Sequence, residues 1–272
     1  MSLRKTGQSV MGSNNGVVYS FHVRHGKLVN NLCYKQLLYS ISTLRAHNKT
    51  TPIKVYISPK TVDTSESKLD TLSNVEVIKF DNHYPSELLN KEWVEEGHAE
   101  FLYHRWKNAF RTLAYYGFDQ ILYLDTDTVF YNDVDVLFKK YNGKMVWARE
   151  DNTYDVMSFL NLDEAMNDGQ FILNKLVLDH LSNFDDTVIS FINKSLDKCK
   201  DNFDRDAMRF KVRWIMIQYA LYTFFKELGH PVAYFDHEDV ALHSEKDEPN
   251  DQPILRHYYS SNSEKYLPKE FK

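Results

Sequence analysis

The chain has 272 residues, 43% of them apolar and 14% aromatic, which is enough for one large α/β domain or two small ones with a sizeable core. A net charge of −5, from 33 Lys and Arg against 38 Asp and Glu, excludes unassisted nucleic-acid binding, so an anionic substrate needs local cations or a metal. Two cysteines, Cys33 and Cys199, exclude a disulfide framework and a zinc ribbon, and they read as idle or buried thiols in a reducing compartment.

Residues 1–15 are polar, lack an apolar core of the secretory type and read as a loose tail. Val17–Phe21 reads as the first strand. A helix follows over Cys33–His47, with Leu37, Leu38, Ile41 and Leu44 on one face. Ile53–Ile57 and Val75–Phe80 are short β-branched runs, hence strands, and the polar segment Pro59–Ser73 crosses the surface between them. Glu100–Tyr116 turns helical, with Trp106, Phe110 and Leu113 in register and Gly117 placed to end it. Ile121–Leu124 is the next strand. The order β, α, β, β, α, β predicts an α/β fold, a mixed and mostly parallel sheet with helices on both faces.

Beyond it, Val134–Lys140 reads as a short helix, and Lys144–Ala148 and Gln170–Leu173 as strands. Arg209–Leu228 reads as a long buried helix closed by Gly229 and Pro231, and Val232–Phe235 as a last strand. From Leu242 onward the chain is polar, with Pro249, Pro253 and Pro268, and reads as a C-terminal flap. The most apolar stretch, Trp214–Phe225, falls short of the ~20 residues a membrane helix needs, and Gln218 interrupts it. The expectation is a soluble cytoplasmic protein, although a Golgi enzyme shorn of its anchor has the same sequence character. No repeat or low-complexity linker divides the chain, so one domain is the simplest organisation.

The most informative segment is Ile121-Leu-Tyr-Leu-Asp125-Thr-Asp127-Thr-Val129. An apolar run without polar alternation is a strand buried on both faces, and ligands of open α/β sheets bind beyond the carboxyl ends of such strands. Residues i and i+2 of extended chain point to one side, so Asp125 and Asp127 converge there. Two carboxylates suit Mg²⁺ or Mn²⁺ rather than zinc or copper, and such an ion suits a phosphorylated substrate. Arg105 and Lys107, in the basic cluster His104-Arg105-Trp106-Lys107, are candidates to reach a diphosphate; a solvated helix face is the plain alternative. Asn167 and Asp168, before Gly169 and Gln170, are candidates for sugar hydroxyls, with an ordinary turn as the alternative. His257 is a competent third ligand, with His243 its competitor. Trp147, Tyr154 and Trp214 are candidates for an acceptor platform, although aromatics this frequent are more often core.

These residues carry a resemblance to the GT-A glycosyltransferases that use nucleotide-sugar donors, most of all to family 8, the group of glycogenin and the bacterial lipopolysaccharide galactosyltransferases. Tyr123-Leu-Asp125-Thr-Asp127-Thr128 is similar to that family's Asp-x-Asp segment. Leu38–Ile57 is similar to its first helix and second strand, Asn167-Asp-Gly169 to its sugar-contact motif, and His257 followed by Lys265 to its His…Lys-Pro element. The resemblance spans roughly residues 16–268.

It implies a single GT-A, Rossmann-like domain over 16–272. The nucleotide-binding half would be 16–130, the acceptor and sugar half 131–240 and the flap 241–272. It implies that Asp125, Asp127 and His257 hold the metal, Mn²⁺ or Mg²⁺, with Asp125 also touching the donor ribose. Lys265 would hold the diphosphate, Asn167 and Gly169 the donor sugar, and Ser20 and Phe21 would lie near the nucleotide base or ribose. The family's Asp-Gln pair on a late helix is Ile217-Gln218 here, which puts Gln218 under the reacting carbon as a catalytic candidate beside Asp168.

The function expected is transfer of a hexose from a nucleoside diphosphate sugar, UDP-glucose or UDP-galactose, to a hydroxyl of a glycan, protein or lipid-linked acceptor, with retention of configuration. Two alternatives remain open on the sequence. One is a haloacid-dehalogenase-type phosphatase with Asp125 as nucleophile, against which stand three strands before the loop. The other is a nucleotide-sugar binding module without catalysis, which the Ile217 departure favours.

Overall fold

The computed structural model describes residues 14–21, 28–57, 67–79, 98–149, 166–183, 186, 190, 224–230, 232–242, 253–258 and 266–272. In chain order its strands and α-helices are β1 (Asn15–Phe21), α1 (Leu32–His47), β2 (Ile53–Ile57), β3 (Val75–Lys79), α2 (His98–Tyr116), β4 (Gln120–Leu124), β5 (Thr128–Phe130), α3 (Asp135–Lys140), β6 (Met145–Arg149), β7 (Met166–Asn174), β8 (Val232–Tyr234), β9 (Val240–Leu242) and β10 (Leu255–His257).

Every residue of β1 and of β4 is buried, because each strand feeds two apolar layers. Val17, Tyr19 and Phe21 join Ile53, Val55, Ile57, Leu122 and Leu124 in one layer, which Leu37, Ile41 and Leu44 of α1 cover. Val18, Ser20, Tyr56 and Tyr123 share the opposite face by register. There α2 packs, with Trp106 stacked on Phe171 at 3.9 Å and Phe171 stacked on Tyr123 at 4.7 Å. One tyrosine on each face ties the sheet to its helix. The Tyr19 hydroxyl meets Ser40 of α1 at 2.8 Å, and the Tyr56 hydroxyl meets Thr112 of α2 at 2.8 Å.

The helix ends follow from local chemistry. The Asn31 side chain accepts from the N–H of Tyr34 and caps α1. Gly117, at φ 63°, adopts the left-handed conformation that ends α2, and its N–H donates to Leu113 at 3.1 Å.

The main sheet has seven strands in the order β3-β2-β1-β4-β7-β6-β8. Only β7 runs against the rest, pairing antiparallel with β4 and β6 while the other pairings are parallel. This reversal lays the first residues of β7 beside the carboxyl end of β4, with Gln170 opposite Leu124. The second sheet has three strands in the order β5-β10-β9. Its β10 pairs antiparallel with β5 and parallel with β9.

Two expectations need correction. The sequence predicts a strand from Gln170, with an ordinary turn over Asn167–Gly169 as the alternative to a sugar contact. The strand begins at Met166, so those residues lie inside β7. The polar composition after Leu242 predicts a flap, yet Leu255–His257 is a fully buried strand. Of the long helix expected over 209–228, only the last five residues are described, and Phe225 there packs against Trp106 and Phe110 of α2, with Phe224 buried beside it.

Candidate active site

Three side chains from two distant segments of the chain converge at the carboxyl end of β4. One ligand atom from each of Asp125, Asp127 and His257 lies within 4.8 Å of the other two. His257 Nε2 stands 3.0 Å from Asp127 Oδ1 and 3.8 Å from Asp125 Oδ2. The pairing of the small sheet explains this. His257 sits opposite Thr128, and the N–H of Tyr258 donates to the carbonyl of Asp127 at 2.8 Å, so the ladder continues to the acidic residue itself. Asp127 Oδ1 is buried and makes no hydrogen bond among the described residues. A buried carboxylate oxygen in that state, facing an imidazole nitrogen and a second carboxylate, fits the ligand set of a divalent cation.

Asp125 is held from three sides. Its N–H donates to the carbonyl of Gly169 at 2.7 Å. Its Oδ1 accepts from the guanidinium of Arg105, which is itself buried and lies over the Tyr123 ring at 5.3 Å. Its Oδ2 passes so close to Gly169 that a Cβ there would meet it at 2.5 Å. Only glycine admits this approach. The chain reaches it through an irregularity in β7: Trp147 pairs with Phe171 while its neighbour Ala148 pairs with Asn167. The residues between form a bulge in β7. Asn167 is buried, and its Oδ1 accepts from the N–H of Gly169 at 2.8 Å, which fixes the bulge.

The first turn of α1 closes another side. The Cys33 thiol, exposed to solvent on one side, reaches the Thr126 hydroxyl, and desolvation by its neighbours, then the charges of Asp127 and Asp125, push it above its ordinary value. Burial, then the charge of Asp127, raises the Tyr266 phenol, so Tyr266 stays a hydroxyl at any physiological pH.

The structure therefore brings together Asp125, Asp127, His257, Arg105, Asn167 and Gly169 of the residues singled out above. Arg105 meets Asp125. Lys107 directs its Nζ to the Tyr103 hydroxyl at 3.0 Å. Ser20 is buried on the α2 face near the end of β1, and Phe21 packs in the α1-side core, 6.1 Å from Tyr34. Trp147 is fully buried against Trp106 and Phe225, so it is core and not an acceptor platform. Asp168 is described as backbone of β7 only. Gln218, Lys265, His243, Tyr154 and Trp214 lie outside the described residues.

Sequence reasoning missed Cys33, Gln170, Tyr258 and Tyr266. Gln170 is fully buried and its amide approaches Thr128 at 3.5 Å. Its position beside the Asn-x-Gly segment was the available signal, and Tyr258 follows His257 directly.

The arrangement has relatives. The family described as "Mannosyltransferase putative" matches residues 14–150, half of the chain. No curated protein sequence matches. Mouse xyloside xylosyltransferase 1 is similar in structure at a TM-score of 0.57, with 12% identity over 93% of this chain and 98% of that one. The galactosyltransferase LgtC, in complex with donor and acceptor sugar analogues, is similar at 0.54, with 13% identity over 90% of this chain and 87% of that one. The glycosyltransferase GlyE of Streptococcus pneumoniae is similar at 0.53, with 14% identity over 92% of this chain and 56% of that one. At such identities the neighbours speak for the fold. The family match spans β1 to β6 with the whole acidic segment, which sets aside both the phosphatase and the non-catalytic module. The chain belongs to this mannosyltransferase family and is a glycosyltransferase of the GT-A fold.

Proposed function

We propose that the protein transfers a hexosyl group from a nucleoside diphosphate sugar to an acceptor hydroxyl, using a divalent cation, Mn²⁺ or Mg²⁺, held by Asp125, Asp127 and His257. The observation that carries this reading is the convergence of those three side chains at the end of β4. A cation bound there supplies positive charge to the diphosphate as it departs.

The chain's own residues orient the reaction. Arg105 and the Gly169 carbonyl fix Asp125, which faces the cation and the donor ribose. The bulge of β7 presents Asn167, Asp168 and Gly169 to the donor sugar, with Asn167 positioned by its own bond to the Gly169 N–H. By the family 8 resemblance, Lys265 would hold the diphosphate, Gln218 would serve the reacting carbon, and the end of β1 around Ser20 and Phe21 would lie near the nucleotide. Transfer proceeds with retention, the acceptor attacking from the side the diphosphate leaves. The acceptor hydroxyl belongs to a glycan, a protein or a lipid-linked sugar. For the sugar, the family description favours mannose over the glucose or galactose that the family 8 resemblance implies. Among the described residues no helix is long and apolar enough to cross a membrane.

The test is release of nucleoside diphosphate from GDP-mannose, UDP-glucose and UDP-galactose, with and without EDTA, by the intact protein and by Asp127→Ala. Release from one of the three donors, abolished by EDTA and by the substitution, supports the reading. Release that ignores EDTA and survives Asp127→Ala overturns the metal's role.

A further inference from the structure

Tyr266 lies near Asp127 and is stacked on the residue after His257, without being one of the three candidate metal ligands. Its ring stacks on Tyr258 at 4.1 Å and 20°. Tyr258 follows His257, donates its N–H to the carbonyl of Asp127 at 2.8 Å and shares a 2.6 Å hydroxyl contact with Tyr131. The other side of Tyr266 meets α1. Its ring lies 6.2 Å from Tyr39, and its hydroxyl sits by the Gln36 amide, which is 3% exposed. Residues 266–272 continue along the same helix, with Phe271 against Tyr39 at 5.1 Å and the Lys272 carbonyl accepting from Lys35. Tyr266 is thus a wedge between a sixteen-residue helix and the strand end that carries His257.

That strand end is buried and paired on both sides, but its ladders are short. β10 is three residues long, and so are both of its partners. A ladder this short fixes a side chain weakly unless something packs against it. The stacked ring supplies the packing, and α1, anchored in the core by Leu37, Ile41 and Leu44, supplies a rigid backing.

We propose that Tyr266 is a positioning residue for the metal centre: by stacking on Tyr258 it sets His257 and Asp127 against α1, and the ring carries the effect. This inference rests on the reading of Asp125, Asp127 and His257 as cation ligands. Residues that orient metal ligands from behind typically change affinity by about 10- to 100-fold when lost.

The experiment measures Mn²⁺ binding to the full chain by the paramagnetic resonance of the free ion, together with the rise in melting temperature that Mn²⁺ produces. The proteins are the natural chain, Asp127→Ala, Tyr266→Phe and Tyr266→Leu. Tyr266→Phe keeps the stack and binds Mn²⁺ within about twofold of the natural chain, whereas Tyr266→Leu binds about tenfold more weakly. Leu binding that equals the natural chain, while Asp127→Ala binds nothing, overturns the positioning role and leaves the metal reading intact. Equal losses in the Phe and Leu variants overturn the ring as the cause. A natural chain that binds no better than Asp127→Ala overturns both readings. If Tyr266→Leu does not fold, Phe271→Leu loosens the same segment at Tyr39 and weakens Mn²⁺ binding in the same direction. Unchanged binding in that variant overturns the proposal.

Discussion

The seven-stranded sheet and the three-stranded sheet both contribute to the candidate metal centre, and they hold their residues differently. β4 is buried over its whole length, bonded to a strand on each side and covered on both faces. Asp125, at its end, cannot move without disturbing Arg105 and Gly169. The strands of the small sheet have three residues each, and His257 is set there by register and by the aromatic packing behind it. Asp127 lies at the junction, its side chain among the ligands and its carbonyl in the small sheet's ladder. Both walls are buried, but one, the more rigid, is a five-residue strand bonded along both edges, and the other is built of three-residue strands brought together from distant chain segments. Allowance for donor entry and release is expected on the second wall, since short ladders open more readily than long ones.

The junction gives the largest expected effect. Asp127→Ala removes a ligand shared by both walls and lowers transfer on the order of 10³-fold, with the melting temperature little changed. Steady-state kinetics beside a thermal melt check this. On the rigid wall, Gly169→Ala forces the Asp125 carboxylate aside, because the added Cβ meets Oδ2 at 2.5 Å. A displacement of this kind lowers kcat about 10²-fold. Full activity in that variant would show that the rigid wall is not rigid.

Arg105→Met tests the same wall by charge. It leaves Asp125 without its guanidinium, and stability falls by about 2 kcal/mol in urea titration. The value lies below that of a fully buried pair because the Asp125 side chain is 26% exposed.

The smallest effect lies outside the site. Lys140 bridges Asp236 at 2.7 Å and Asp239 at 2.6 Å, which fixes α3 to the chain entering β9. The Lys140 ammonium holds the Asp236 carboxyl below its ordinary 3.8. A depressed carboxyl stabilises the fold above its ordinary value, and that contribution disappears as the pH falls through the depressed value. Asp236→Asn therefore costs under ~1 kcal/mol at neutral pH, discounted for the exposure of Asp236 and Lys140, and its deficit vanishes in strong acid. Melting curves at pH 7 and pH 2.5 check the sign.

The rigid wall was legible in the sequence and the compliant one was not, for a physical reason. A strand buried on both faces must be an unbroken apolar run, so Ile121–Leu124 announces itself, and a carboxylate pair directly after it stands out. Leu37, Ile41 and Leu44 likewise fall at helical spacing and form the face that docks. Three-residue strands such as Thr128–Phe130 and Leu255–His257 hold too few side chains to show a period, and each finds its partner far along the chain. His257 was visible as a chemical type, but its place beside Asp127 comes from a register no local pattern encodes. Cys33 read as an idle thiol, because only the docking of α1 brings its first turn to Thr126. Phe21 read as a nucleotide contact, yet alternation along β1 sends it with Val17 and Tyr19 into the α1-side core.

The account stands on one cation joined by both walls. Crystals grown with Mn²⁺ and a nucleoside diphosphate, measured at the manganese absorption edge, test it directly. The predicted result is one anomalous peak within about 2.0–2.3 Å of carboxylate oxygens of Asp125 and Asp127 and of His257 Nε2, with diphosphate oxygens completing its coordination. A manganese peak on the diphosphate alone, with His257 or either aspartate turned away from it, would contradict the account.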